Sequence, residues 1–238
     1  MAFEFRHRSS DSAFIETVWY SQDTADGYYL AASDGRLHVH CVTTPQGTSR
    51  VYVRRPSPFA TPVAYQTGNT NVGIICKEGV FADPKIESML ATLQAPTFDT
   101  AEQFVANLIA QNLLASDSVV KRFVAGSYLH VTPRTVQRHF MTAIGLTPTY
   151  MQNVQRANTA VRLLQNNNSI LQVVDSLGYA DQAHLTRCVK QVSGCTPGQI
   201  IKKTERARRL QAVQAYGICA VMRIQNFRGA VFERTHQV

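Results

Sequence analysis

Thr132-Pro133-Arg134-Thr135-Val136-Gln137-Arg138-His139-Phe140, closed by Gly145-Leu146-Thr147-Pro148, is the stretch that decides the fold. Thr132 is a good helix N-cap, and Pro133 takes the first helical position, where its missing N–H costs nothing. Val136 and Phe140 then face inward at i and i+4, while Arg134, Gln137 and Arg138 project outward. Shifting residues 124–150 by 49 positions places them on 173–199 without a gap. Arg138 lands on Arg187, Gly145 on Gly194, and Thr147-Pro148 on Thr196-Pro197. Apolar positions coincide as well: Val124 with Val173, Ala125 with Val174, Tyr128 with Leu177, Val136 with Leu185, Phe140 with Val189. Thr132 meets Asp181, a second N-cap. This many matches in one register mark an internal duplication.

Each copy follows one plan. A short helix is predicted from Val119 to Leu129 and again from Ile170 to Leu177. A tight turn follows, Leu129-His130-Val131 in one copy and Gly178-Tyr179-Ala180 in the other, and a capped helix then starts at Thr132 and at Asp181. Two helix-turn-helix units result, each with a second helix suited to a major groove. In the second copy Leu185 and Val189 face inward, and Gln182, His184, Thr186 and Arg187 face outward with Lys190 nearby. Neither outward face carries an acid after its cap, whereas a merely solvated face mixes both signs. Arg reads guanine bidentately and Gln reads adenine, so these are side chains for base edges rather than for an ordinary helical hairpin. Between the copies, Thr149 to Gln165 forms a continuous helix with Tyr150, Val154, Ala157, Val161 and Leu164 as its apolar stripe. It is about 25 Å long. Successive major grooves on one face of duplex DNA lie about 34 Å apart, so one strut could present both second helices to adjacent turns.

Outside this duplication the pattern changes. The chain has 238 residues, enough for one large domain or two small ones. Hydrophobic residues make up 45% and charged residues 17%, which excludes a disordered chain. Residues 1–95 read as β-rich: Tyr28 to Leu30, Arg36 to Val42, Ser49 to Val53 and Val72 to Cys76 are short and β-branched or aromatic, with turn signals between them. A short helix is predicted around Ile86 to Leu93, and a helical period from Asp99 carries Phe104, Leu108, Gln111 and Leu114 on one stripe. The class is therefore α+β, with a β-rich domain over 1–98, a linker helix over 99–115, the double helix-turn-helix over 116–204 and a basic tail over 205–238. The net charge of +8 is unevenly spread: residues 1–100 carry −2, 116–204 carry +7 and 205–238 carry +4. Only the second half is charged to meet a polyanion.

Residues 116–200 resemble the DNA-binding domain of the AraC/XylS family of bacterial transcription regulators. The resemblance rests on Thr132 to Phe140, Gly145 to Pro148, Leu177-Gly178-Tyr179-Ala180-Asp181-Gln182-Ala183-His184-Leu185, and the closing Gly194-Cys195-Thr196-Pro197. It implies base contacts from Arg134, Gln137 and Arg138, then from Gln182, Ala183, His184, Thr186 and Arg187, with Ala183 limited to apolar contact. Lys121, Arg122, Thr132, Lys190 and Lys202 are the candidates for phosphate contacts. Gly126 and Val174 stand where the family prefers a small alanine, and Val189 replaces an aromatic. Glu16 to Tyr20, Ser33 to Leu37 and Gly73 to Val80 are similar to the β-rich sensor-like domain of some such regulators, which implies effector sensing or dimerisation. Double-stranded DNA, RNA polymerase, a small-molecule effector at the first domain and a second copy of the chain are the partners this implies.

Other chemistry has less support. His38 and His40 share a strand face beside Cys41, but no further ligand at a suitable spacing completes a metal site. Cys76 precedes Lys77 without an assignable His or acid partner. No GxSxG, HExxH or P-loop motif occurs, so no cofactor, metal or enzyme activity is expected. Five Cys without a CxxC pair point to a reducing cytosol, and no stretch is long and apolar enough for a membrane helix. The tail either packs through Leu210, Val213, Tyr216 and Val221 or lays its Arg206, Arg208 and Arg209 on phosphates. The competing reading of the whole is a helical module that binds an acidic protein partner and has no sequence preference on DNA.

Overall fold

The period-2 stretches of the first half pair into sheets, as their alternation predicts. The computed structural model describes residues 5–127 and 129–209. Strands β1 (Phe5–Ser9), β2 (Ile15–Gln22), β3 (Gly27–Ala31), β4 (His38–Thr43), β5 (Ser49–Arg54), β6 (Thr61–Tyr65), β7 (Thr70–Cys76) and β8 (Val80–Ala82) precede the first helices. Five of them form an antiparallel sheet in the order β1-β2-β7-β4-β5, and β3 pairs with β6 in a sheet of two. The run Val72 to Cys76 is continuously apolar because β7 is a central strand, buried from Val72 onward.

One row across the large sheet explains an unusual glycine. His7, Trp19, Gly73, His40 and Tyr52 are successive cross-strand partners. A Cβ on Gly73 would lie 2.0 Å from the Trp19 indole, so only glycine lets that ring cross β7. The indole meets the His40 ring edge-on at 5.6 Å, and His40 stacks on Tyr52 at 5.2 Å. The opposite face, with Ile15, Val18, Val39 and Ile74, packs on the helices that follow.

Helix α1 (Ile86–Leu90) is shorter than the predicted segment, and α2 (Ala101–Ala110) buries Phe104, Val105 and Leu108 in the same core. The predicted helical stripe through Gln111 and Leu114 is corrected. Asn112 takes φ 56 and ends the helix, Gln111 is exposed, and Leu114 opens strand β9 (Leu114–Ser116), which pairs with β8. Asparagine tolerates this left-handed conformation better than most residues, which is why the helical period breaks there. Arg8 of β1 ties to α2 through Glu102 at 2.7 Å and to the Phe98 carbonyl at 2.8 Å.

His40 and Glu102 are among the groups that give this half acid sensitivity of one sign. Burial, with His38 and Arg54 adding to it, holds His40 neutral well below its ordinary 6.5. Only the unfolded chain then gains a proton as pH falls below 6.5, so stability drops, by up to about 1.4 kcal/mol per pH unit. The Arg8 hydrogen bond holds Glu102 at about 2, so its contribution is present above 4.5 and is lost as pH falls toward 2. Urea unfolding from pH 7 to 5 is expected to show a shallower loss of stability in His40→Gln than in the natural chain. Glu102→Gln should flatten the profile only below 4.5.

Candidate nucleic-acid interface

Among the described residues, every helix of the second half is started by a side chain that the sequence places there. Asp117 caps α3 (Ser118–Val124) at Val119 and Val120, Thr132 caps α4 (Pro133–Ala143) and Thr147 caps α5 (Pro148–Gln165). Ser169 and Gln172 form a reciprocal capping box on α6 (Ile170–Ser176), and Asp181 caps α7 (Gln182–Ser193). Thr196 and Gln199 exchange bonds at the start of α8 (Pro197–Arg209).

The ungapped repeat holds for the second helix of each unit and breaks in the turn before it. The helix predicted to reach Leu129 ends at Val124. Gly126 at φ 68 follows it, with Ser127 N–H on the Arg122 carbonyl and Gly126 N–H on that of Phe123. Gly178 at φ 64 closes α6 in the same way, through Tyr179 to Val174 and Gly178 to Asp175. These paired bonds need a left-handed residue, which is why both positions are glycine. Gly126 therefore corresponds to Gly178 and not to Asp175, and the first turn is three residues longer than the second. The pairing of Tyr128 with Leu177 involves a residue outside those described.

The paired apolar positions fill two separate interiors. Phe140 is fully buried and meets Phe123 edge-on at 5.0 Å, with Val120, Val136, Ile144 and Met151 around it. Leu185 and Val189 are fully buried among Val173, Tyr179, Ala160 and Leu164. Helix α5 serves both cores, with Met151 in the first and Ala160 and Leu164 in the second. At 18 residues it spans about 27 Å.

Arg134, Gln137 and Arg138 are all exposed on α4, and Gln182, Ala183 and Arg187 are exposed on α7. His184 and Thr186 are half-buried and locally engaged. The His184 ring packs edge-on against Tyr179 at 5.3 Å, and the Thr186 hydroxyl donates to the Gln182 carbonyl at 2.8 Å. Lys121, Arg122, Lys190 and Lys202 are exposed, and the Thr132 hydroxyl accepts the Thr135 N–H as its cap. One residue escaped the sequence reading. Met141, 49% exposed, continues the stripe of Arg134 and Arg138 at i+7 and i+3. The 49-residue register already pairs it with Lys190, so the signal was there; its apolar character hid it. Helix α8 continues to Arg209, and the readings of the tail beyond it lie outside the described residues.

His139 points the other way, its Nδ1 at 2.7 Å from Asp117 Oδ2. Asp117 thus caps α3 and holds α4. Asp117→Ala is expected to cost about 0.5–2 kcal/mol for the cap alone, with the His139 contact adding to it. The readout is the midpoint of urea unfolding.

A cleft of about 530 Å³ separates the two halves, lined among others by Glu16, Asp34, Arg36, Glu78, Met151 and Arg162. Arg36 pairs with Glu78 at 2.7 Å, and Asp34, its side chain 11% exposed, pairs with His38 at 2.8 Å. His38 also accepts from Arg54 at 3.1 Å, so its ring nitrogens are taken by protein groups. Cys76 is fully buried, and burial pushes its thiol up to about 12, which removes it as a nucleophile. Among the described residues no helix is long and apolar enough to cross a membrane.

Comparison with known proteins places the helical half. A family model described as a helix-turn-helix domain matches residues 126–203. The HTH-type transcriptional regulator RipA of Corynebacterium diphtheriae is 31% identical over 97 residues, covering 40% of this chain and 29% of that protein. The chain therefore matches under a third of the length of that curated relative. A crystal structure of ToxT from Vibrio cholerae bound to (E)-4-(8-methylnaphthalen-1-yl)but-3-enoic acid is similar over 86% of this chain and all of that one. Its TM-score is 0.42 at 8% identity. A further ToxT structure, at 1.65 Å, gives a TM-score of 0.39 at 7% identity over 86% and 98% of the two chains.

Proposed function

We propose, from the premise that residues 126–203 match a helix-turn-helix domain, that this chain is a sequence-specific DNA-binding transcription regulator of the AraC type. One observation carries the reading. Two capped second helices, with acid-free and exposed outer stripes, are mounted on one rigid helix that belongs to both of their cores. Arg134, Gln137 and Arg138 read one groove segment, and Gln182, Ala183 and Arg187 read the next. Met141 supplies an apolar edge contact, while His184 and Thr186 reach base edges only by leaving their local partners. Lys121, Arg122, Lys190 and Lys202 hold the backbone.

The β-rich half serves effector sensing or dimerisation. The cleft between the halves has room for a small polar effector, and its charged lining suits one with hydrogen-bonding groups. The chain works in the cytoplasm alongside RNA polymerase, and no catalytic role belongs to this reading.

Phosphate contacts have a distinct signature. Lys121→Ala, Arg122→Ala and Lys202→Ala are each expected to weaken specific and random duplexes alike. Each should lower the slope of log affinity against log salt by about 1. Fluorescence anisotropy across a salt series reads both quantities. A loss confined to one sequence would remove that residue from the backbone set.

A further inference from the structure

The β-rich half touches both recognition units, and it does so at points that leave their outer stripes open. At α7 it satisfies carbonyls of the last turn, which have no partner within the helix. Ser33 N–H donates to the Val192 carbonyl at 2.9 Å, and Ala60 N–H donates to that of Gln191 at 2.9 Å. The Ser33 carbonyl in turn accepts Asn158 Nδ2 of α5 at 2.8 Å. Leu30 fills the space beside Gly194, where a Cβ would lie 2.4 Å from its Cδ1. At the other unit, the Gly79 carbonyl accepts Asp117 N–H at 2.8 Å. Asp117 is also the residue that caps α3 and holds His139 of α4. The approach is close: a Cβ on Gly79 would stand 2.8 Å from the Asp117 carbonyl oxygen.

We infer that the β-rich half is a brace that fixes the distance and rotation between the two recognition helices, with Leu30 and Asn158 as positioning residues. This rests on the regulator reading and adds to it the element that sets the spacing between the two blocks of an operator. A strut alone leaves each unit attached at one side, through α5. The brace adds a second attachment to each, Ser33 and Ala60 on α7 and Gly79 on the α3–α4 pair. An operator whose blocks are moved apart by one base pair displaces the second block by about 3.4 Å and turns it by about 35°. A braced pair of helices cannot follow that movement without breaking a contact.

The test uses the full chain and a duplex recovered by selection with it, compared with the same duplex carrying one or two base pairs inserted between the blocks. The natural chain is expected to lose about tenfold or more in affinity on insertion, by the half-site geometry. Leu30→Ala/Asn158→Ala should shrink that penalty to about threefold or less while leaving the cost of a single mismatch within either block unchanged. Asn158→Asp keeps the size of the side chain and turns its donor into an oxygen facing the Ser33 carbonyl; it should give the same result should the double variant fail to fold. An insertion penalty equal to that of the natural chain in Asn158→Asp, or in a folded double variant, overturns the brace and leaves α5 as the sole spacer. A natural chain that shows no sequence preference at all defeats the regulator reading, and the brace with it.

Discussion

Phe140→Ala is expected to remove the first recognition unit from DNA while the second continues to read. Phe140 is fully buried at the centre of a small cluster and makes an edge-on contact with Phe123. Truncating such a ring costs about 3–5 kcal/mol, part transfer free energy and part cavity. A cluster of this size, built mainly from α3, α4 and the start of α5, has little else to collapse into the gap. The equivalent change in the other unit, Leu185→Ala, should cost about 2–5 kcal/mol by the same argument. The two variants are expected to lose different blocks of a recovered operator, which footprinting of each on the same duplex would show. Loss of both blocks in Phe140→Ala would mean that the units do not read separately.

Arg138→Ala and Arg187→Ala form the second large prediction, because these two occupy the same position in the two copies. Both side chains are exposed on the outer stripe of their helices. Each should cost about 1–3 kcal/mol of specific binding and relax preference at one position of its own block. Competition binding against random duplex measures this. Equal losses on specific and random DNA would move the pair to the phosphate-contacting set.

The two helix-turn-helix units were legible because their signals are local. Thr132-Pro133, Asp181 and Thr147-Pro148 fix helix starts, and Val136/Phe140 and Leu185/Val189 fix the buried faces. The slip between the copies was hidden because Gly126 acts through a left-handed turn that the apolar register does not record. Gly126 and Gly178 lie 52 residues apart, against 49 for the helices after them. The linker misled for a related reason. Leu114 fits a helical stripe by period, but Asn112 breaks the helix, and β8 supplies a strand for Leu114 to pair with. Pairing of this kind is long-range, and nothing in the local pattern announces it. The same holds for Gly73, whose purpose appears only once Trp19 lies across it. The grip of Ser33 and Ala60 on α7 uses backbone donors, which leave no trace in residue type.

The most direct measurement is selection of duplexes from a genomic library with the full chain, at about 150 mM salt, where non-specific attraction is partly screened. Two short blocks about one helical turn apart are predicted to be enriched, with one block lost for Phe140→Ala and the other for Leu185→Ala. Recovery of duplexes with no common sequence, bound as well as random DNA, would contradict the account.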